Sequence, residues 1–181
     1  IEKHFNIIKT NTVVIKDVND DEVIDIINHM KNFKSEIRFI EYMDVGESNK
    51  WDPSKVVSSE SLLESINEHY SLKQMKTETS STAKKWHIKD SNSSIGLISS
   101  ITQPFCSSCN RARLSVDGKL FTCLFASNGF DIKSVIRSDN YEEKLLEFFK
   151  KIWMERSDQY SQIRFTSKRD LPKVEMSYIG G

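Results

Sequence analysis

The stretch FCSSCNRARLSVDGKLFTCLF, residues 105–125, contains all three cysteines of the chain. Two residues separate Cys106 from Cys109, a spacing that lets both sulfurs face one centre from a single turn, and thirteen more precede Cys123. Between them Asp117-Gly118 reads as a tight hairpin turn, so Cys123 returns on the far strand and three thiols are expected to converge. A segment built this way is a loop and hairpin organised around a centre, not a helix. Three cysteines cannot all pair within one chain, and a Cys-x-x-Cys outside an oxidising compartment is more often a metal or redox site than a structural disulfide. The odd count favours a metal.

Spacing alone leaves two metals open. A structural zinc site is closed by four ligands, and the fourth would have to be a distant histidine such as His69 or His87, neither at finger or ribbon spacing. The other is an iron–sulfur cluster held by three cysteines, with one iron left for a non-protein ligand. Arg111 and Arg113 alternate on the strand leaving the cysteine turn and so share a face. Two planar guanidinium forks suit a phosphate chain. Surface pairing with carboxylates is the plainer use of two arginines, but their position beside an open metal favours a ligand.

Lysine plus arginine number 26 and aspartate plus glutamate 26, so no whole-molecule field draws nucleic acid and any anion site is local. The 181 residues, 38% of them apolar, suffice for one or two small domains. No apolar run approaches the roughly 18 residues of a membrane span and no signal peptide opens the chain, so a cytoplasmic setting is expected. The opening, without methionine and directly into a β-branched run, reads as the middle of a larger fold.

Residues 5–16 are β-branched and read as a strand. Asn19 or Asp20 is then expected to cap a helix carrying Val23, Ile26, Ile27 and Met30 at helical spacing. Residues 36–43 form a second strand pattern, giving a β-α-β rhythm with two parallel strands. A helix over 58–70, capped by Ser58 or Ser59, follows. Strands are expected at 85–89 and 95–101, then the hairpin, then helices over 131–137 and 140–156. The last of these should bury Leu145, Leu146, Phe149, Ile152 and Trp153.

The block FCSSCNRARLSVDGKLFTCLF, the run IRFIEYMDVG and the terminal Gly-Gly together resemble the C-terminal half of the molybdenum cofactor biosynthesis protein A family, the radical S-adenosylmethionine GTP 3′,8-cyclases. The resemblance extends from KTNTVV to the last residue. It implies an α/β chain: residues 1–80 as the last part of an incomplete six-stranded (β/α) TIM-type barrel, and 81–181 as an α+β lobe that binds an iron–sulfur cluster and GTP. In that family the first half carries a Cys-x3-Cys-x2-Cys cluster that cleaves S-adenosylmethionine. No such motif stands in this sequence, so the fragment alone is expected to be inactive.

Carried over residue by residue, Cys106, Cys109 and Cys123 would ligate an auxiliary 4Fe-4S cluster whose open iron is approached by the guanine ring. Arg111 and Arg113, with Lys9 and Arg38 from the barrel strands, would face the triphosphate, and Met43 would lie near S-adenosylmethionine. Gly180 and Gly181 would enter the active-site pocket, glycine being suited because without Cβ its backbone can lie close to a ligand. The implied reaction is GTP to 3′,8-cyclo-7,8-dihydro-GTP, with the product passed to a downstream pterin-synthesis enzyme. S-adenosylmethionine and a second 4Fe-4S cluster belong to the full-length enzyme. Neither nucleic acid nor membrane is an expected partner, and a homodimer is the assembly considered. The alternative from a different class is a zinc-stapled structural or nucleic-acid-binding module.

Overall fold

Alternating side chains along IKTNTVV make the first strand, β1 (Ile8–Val14), whose exposure alternates in step until Val14 is fully buried. A computed structural model describes residues 4–76, 78–165 and 173–179. The chain falls into two compact units: one reaches Met43 and takes in Asp52–Ser108, and the other joins Asp44–Trp51 to the residues from Cys109 onward.

In the first unit, β1 leads through α1 (Val23–Met30) to β2 (Ser35–Glu41), and the two strands pair in parallel with Ile8 opposite Ser35 and Val14 opposite Glu41. Parallel neighbours need a crossover, which α1 supplies. Next come α2 (Ser59–His69), β3 (Leu72–Gln74), β4 (Lys84–Ile88) and β5 (Ser94–Ile98). The five strands form one sheet in the order β1-β2-β5-β4-β3, with β2 and β5 also parallel and the β5–β4 and β4–β3 pairings antiparallel. The chain is therefore a mixed α/β structure with parallel-paired strands. Its sheet takes in residues 84–98, which the sequence reading groups with the second lobe.

Several expectations shift by a few residues. The strand expected over 36–43 ends at Glu41, which puts Met43 beyond it. Three residues of β3 are too few to show a period and escape the sequence reading. Ser58 does cap α2, its hydroxyl accepting the Ser61 N–H at 3.1 Å. Neither Asn19 nor Asp20 caps α1. The Asn19 amide turns back instead, its Oδ1 accepting the Ile15 N–H at 2.8 Å and its Nδ2 donating to the Val13 carbonyl at 3.0 Å, while a 3-10 turn over Asp20–Glu22 leads into the helix. Closing the strand–helix turn is the competing use of an asparagine side chain.

Strand alternation gives the sheet one apolar face. Val14, Ile37, Phe39, Ile95, Leu97 and Ile88 form its core with Val23 and Ile27 of α1 and Leu62 and Ile66 of α2. Glu41 stands at the end of the same row and is fully buried. Its two oxygens accept the backbone N–H of Ser59, Ile101 and Thr102, each at 2.8 Å, and the Thr102 hydroxyl. One carboxylate thus joins the start of α2 to the loop that runs on towards Cys106.

The second unit has a three-stranded antiparallel sheet of β6 (Arg113–Leu114), β7 (Lys119–Phe121) and β8 (Phe130–Asp131). The expected turn joins β6 to β7, with Gly118 at φ +78° where glycine meets no Cβ penalty. Among the described residues three helices follow, α3 (Lys133–Ile136), α4 (Tyr141–Met154) and α5 (Tyr160–Ile163). Of the apolar residues expected to be buried on α4, only Ile152 is; Leu146, Phe149 and Trp153 are 57%, 37% and 42% exposed. The apolar stripe is wider than a four-residue neighbour such as α3 can cover.

Polar ties do much of the work in this unit. Asp44 and Arg164, each with a 2% exposed side chain, pair at 2.9 Å. Asp44 also accepts from Tyr160 at 2.7 Å and Lys173 at 3.0 Å, and the Arg164 guanidinium sits over the rings of Phe125, Tyr160 and Trp51. The Glu175 carboxylate rests in the turn after Gly46 (φ +71°), accepting the Glu47 and Ser48 N–H groups at 2.8 and 3.1 Å. Tyr178 donates to Asp117 at 2.7 Å, and Ile179 is buried.

Replacing Glu41 by glutamine sets an NH2 group against backbone donors that now meet an oxygen. Unfolding in urea should show a loss of about 3 kcal/mol, and a loss within error of zero would contradict the bracing role. For Asp44, burial raises the carboxyl pKa, but Tyr160, Lys173 and Arg164 outweigh it and hold the group below its ordinary value. Its contribution to stability should be complete above about pH 4 and disappear as pH falls through the lower folded value. The melting difference between wild type and Asp44→Asn should accordingly shrink below about pH 4; a difference that does not depend on pH there would refute this.

Candidate functional site

The first cysteine lies in a short 3-10 turn, Cys106–Ser108, at the end of the first unit, and Cys109 opens the second. All three cysteines are half-buried and outside any disulfide. Arg111, just before β6, donates from Nη2 to the Cys109 sulfur at 3.0 Å. Arg113 is the first residue of β6, opposite Phe121 of β7, and its charge interacts with Arg111, Cys123 and Cys109. The Phe125 N–H points at the Cys123 sulfur at 3.5 Å. Cys109, Arg111, Arg113 and Cys123 thus lie together in the second unit, Arg111 just before the strand, while Cys106, which the spacing predicts beside them, lies in the first unit.

A further cation, not found from sequence, joins them. Arg156 follows the end of α4 and reaches back 47 positions to Cys109. It donates to the Cys109 carbonyl at 2.8 Å, the Thr122 carbonyl at 2.6 Å and the Cys109 sulfur at 3.4 Å. Nothing local marks Arg156 in the sequence beyond a cation three residues after Trp153, because its role depends on a contact between distant segments.

These neighbours act on the thiol in opposite directions. Burial pushes the Cys109 pKa up, but the backbone N–H of Arg111 and the guanidinium groups of Arg156 and Arg111 outweigh it, so the group lies below its ordinary value. Arg113 is shifted down by burial and by repulsion from Arg111, with the sulfurs of Cys123 and Cys109 opposing. Two cations held together in a half-buried place favour an anion between them. Among the described residues no three His, Cys, Asp or Glu side chains are gathered closely enough to hold a metal ion as they stand. Within the second unit the donor chemistry nevertheless suits a thiolate-bound cluster: the Cys109 pKa is lowered, and N–H groups are directed at the Cys109 and Cys123 sulfurs.

The remaining expected residues lie on the first unit's sheet. Lys9 is exposed on β1 opposite Glu36, and Arg38 of β2 stands opposite Gly96 of β5, on the face away from the apolar core. A Cβ on Gly96 would lie 3.2 Å from the Arg38 Cγ, so glycine here leaves room for the arginine to cross the strand. Glu36 is buried and paired with Arg38 at 2.6 Å and with Lys85 of β4 at 3.0 Å. Lys9, Arg38 and Lys85 are three cations against the one carboxylate of Glu36, which leaves this face positive. Lys85 was not expected from sequence; its only signal is the alternation with Trp86. Met43 is half-buried in the loop after β2. His69 ends α2 and His87 lies on β4. Gly180 and Gly181 lie outside the described residues.

Removal of the Arg111 side chain takes away one of the influences that lower the Cys109 pKa. In metal-free protein, the pH midpoint for Cys109 alkylation by iodoacetamide should move upward in Arg111→Ala, as followed by mass spectrometry. An unmoved midpoint would show that the guanidinium does not act on this thiol.

A family model described as Molybdenum Cofactor Synthesis C matches residues 35–162. Relatives named GTP 3′,8-cyclase in Staphylococcus aureus strains JH9, Newman and Mu3 are 44% identical over 179 residues, covering 96% of this chain and 53% of theirs. The chain therefore spans about half the length of the curated relatives it matches. No helix among the described residues is long and apolar enough to cross a membrane. The cysteine–arginine group and the parallel-paired sheet are features of a chain that belongs to the Molybdenum Cofactor Synthesis C family.

Proposed function

We propose that this chain supplies the substrate-binding and auxiliary-cluster part of a GTP 3′,8-cyclase, which converts GTP to 3′,8-cyclo-7,8-dihydro-GTP early in molybdenum cofactor synthesis. The observation that carries the reading is the juxtaposition of Arg111 and Arg113 with the sulfurs of Cys109 and Cys123. The name GTP 3′,8-cyclase, carried by relatives 44% identical to the chain, supports GTP as the substrate. Cys106, Cys109 and Cys123 would hold a 4Fe-4S cluster, which when bound offers an iron with a free position to the guanine ring.

The chain's own residues bind and orient. GTP carries about four negative charges, and guanidinium forks bind phosphate oxygens through charge-assisted hydrogen bonds about twice as strong as neutral ones. Arg111 and Arg113 receive the triphosphate from the cysteine side. Lys9 and Arg38 act from the polar face of the sheet, which in this reading lines the interior of the (β/α) barrel. Glu36 and Lys85 fix the Arg38 side chain. Met43 borders the S-adenosylmethionine position. No Cys-x3-Cys-x2-Cys run stands in these residues, so their share of the reaction is to hold the ribose and base in near-attack geometry.

Anaerobic reconstitution with iron and sulfide tests the cluster. Brown protein with about four irons per chain is expected, and Cys109→Ser should retain far less iron. Colourless protein holding one zinc would replace this reading with a zinc-stapled module. For the substrate, Arg111→Ala and Arg113→Ala should weaken GTP binding far more than guanosine binding, by about tenfold or more for each lost bidentate contact. Calorimetry showing equal losses for the two ligands would overturn the phosphate assignment.

A further inference from the structure

We infer that Arg156 is a positioning residue that fixes the backbone around Cys109 and Cys123 at one spacing, with a single guanidinium group tied to both segments. This rests on the reading of the cysteines as a cluster site. Nη1 donates to the Cys109 carbonyl at 2.8 Å, and Nη2 donates to the Thr122 carbonyl at 2.6 Å and to the Cys109 sulfur at 3.4 Å. Thr122 is the residue before Cys123, so the tie acts on both cysteine-bearing segments at once.

The β ladder does not do this by itself. β6 begins at Arg113, after Cys109, and β7 ends at Phe121, before Cys123. Both cysteines therefore lie outside the paired residues, and the guanidinium takes over where the ladder stops. Its own position is fixed on two further sides. Nε pairs with Asp158 at 3.2 Å, and the group lies over the Trp153 ring at 4.8 Å. The Arg156 side chain is only 10% exposed. Asp158 balances the charge, which separates Arg156 from the phosphate-facing pair Arg111 and Arg113: its product is geometry and a hydrogen bond to sulfur. A planar fork with donors at fixed angles can span two carbonyls and a sulfur; a lysine ammonium on a flexible stem cannot hold all three. In iron–sulfur sites, hydrogen bonds to sulfur and the residues that orient the ligands tune both retention and reduction potential.

The test compares the wild-type chain with Arg156→Met and Arg156→Lys. After anaerobic reconstitution, iron loss to bipyridine and the cluster reduction potential are measured; in metal-free protein, amide hydrogen exchange is followed over residues 109–113 and 120–124. Arg156→Met should lose iron about tenfold faster, shift the potential to more negative values and exchange faster in both segments. Arg156→Lys should fall between the two, and supplies the same readings if the methionine variant does not fold. Wild-type iron loss and potential in the variants would overturn the inference. If the wild-type chain takes up no cluster, the cluster reading itself fails, and the metal-free exchange decides the clamp: faster exchange confined to the two segments supports it, and unchanged exchange overturns it.

Discussion

Side chains in strict register across three parallel strands give the first unit both its stability and its chemistry. With a period of two, Ile37, Phe39, Ile95 and Leu97 fall on one face, while Glu36, Arg38 and Gly96 fall on the other. A shift of one residue would exchange the faces, placing Arg38 in the core and Phe39 among the charges. The helices α1 and α2 follow from the apolar face, since each must bury a stripe against it. The positive face follows from the same alternation, which brings Arg38 and Lys85 onto one buried carboxylate, Glu36, and sets Lys9 opposite it on the neighbouring strand. Glu41, the last residue of the apolar row, extends this order to the loop that leads to Cys106 by accepting three backbone N–H groups.

The second unit is organised differently. Among the described residues its buried apolar side chains are Leu120, Phe121, Phe125, Ile132, Ile152 and Ile179. Small units of this kind gain from cross-ties, because a thin core alone offsets little chain entropy. Here the ties are ionic and hydrogen-bonded: Asp44 with Arg164, Tyr160 and Lys173; Glu175 in the turn after Gly46; Tyr178 with Asp117; and Arg156 with Cys109 and Thr122. A cluster on the three cysteines, as proposed, would add one more tie and would draw on the same guanidinium groups that lower the Cys109 pKa. The exposed stripe on α4 is the converse case: amphipathic periodicity marks where apolar residues stand on a helix and not how much of them a neighbour covers.

The features legible along the chain are those written in local spacing. A β-branched run marked β1, short strand patterns marked β2, β4 and β5, helical periodicity and Ser58 marked α2, and Asp117-Gly118 marked the hairpin that follows the Cys-x-x-Cys turn. Short-range geometry controls each of these, so neighbours along the chain carry the information. Arg111 beside Cys109 was legible for the same reason, two residues apart. The tertiary structure alone decided which distant groups meet: Arg156 with Cys109 across 47 positions, Lys85 with Glu36 across 49, and Asp44 with Lys173 across 129. It also decided that Asn19 closes a turn instead of capping α1, because a side chain with two possible backbone partners is assigned by the packing around it. An ion pair or clamp between remote segments depends on the path of the whole chain, and no local pattern of residues encodes that path.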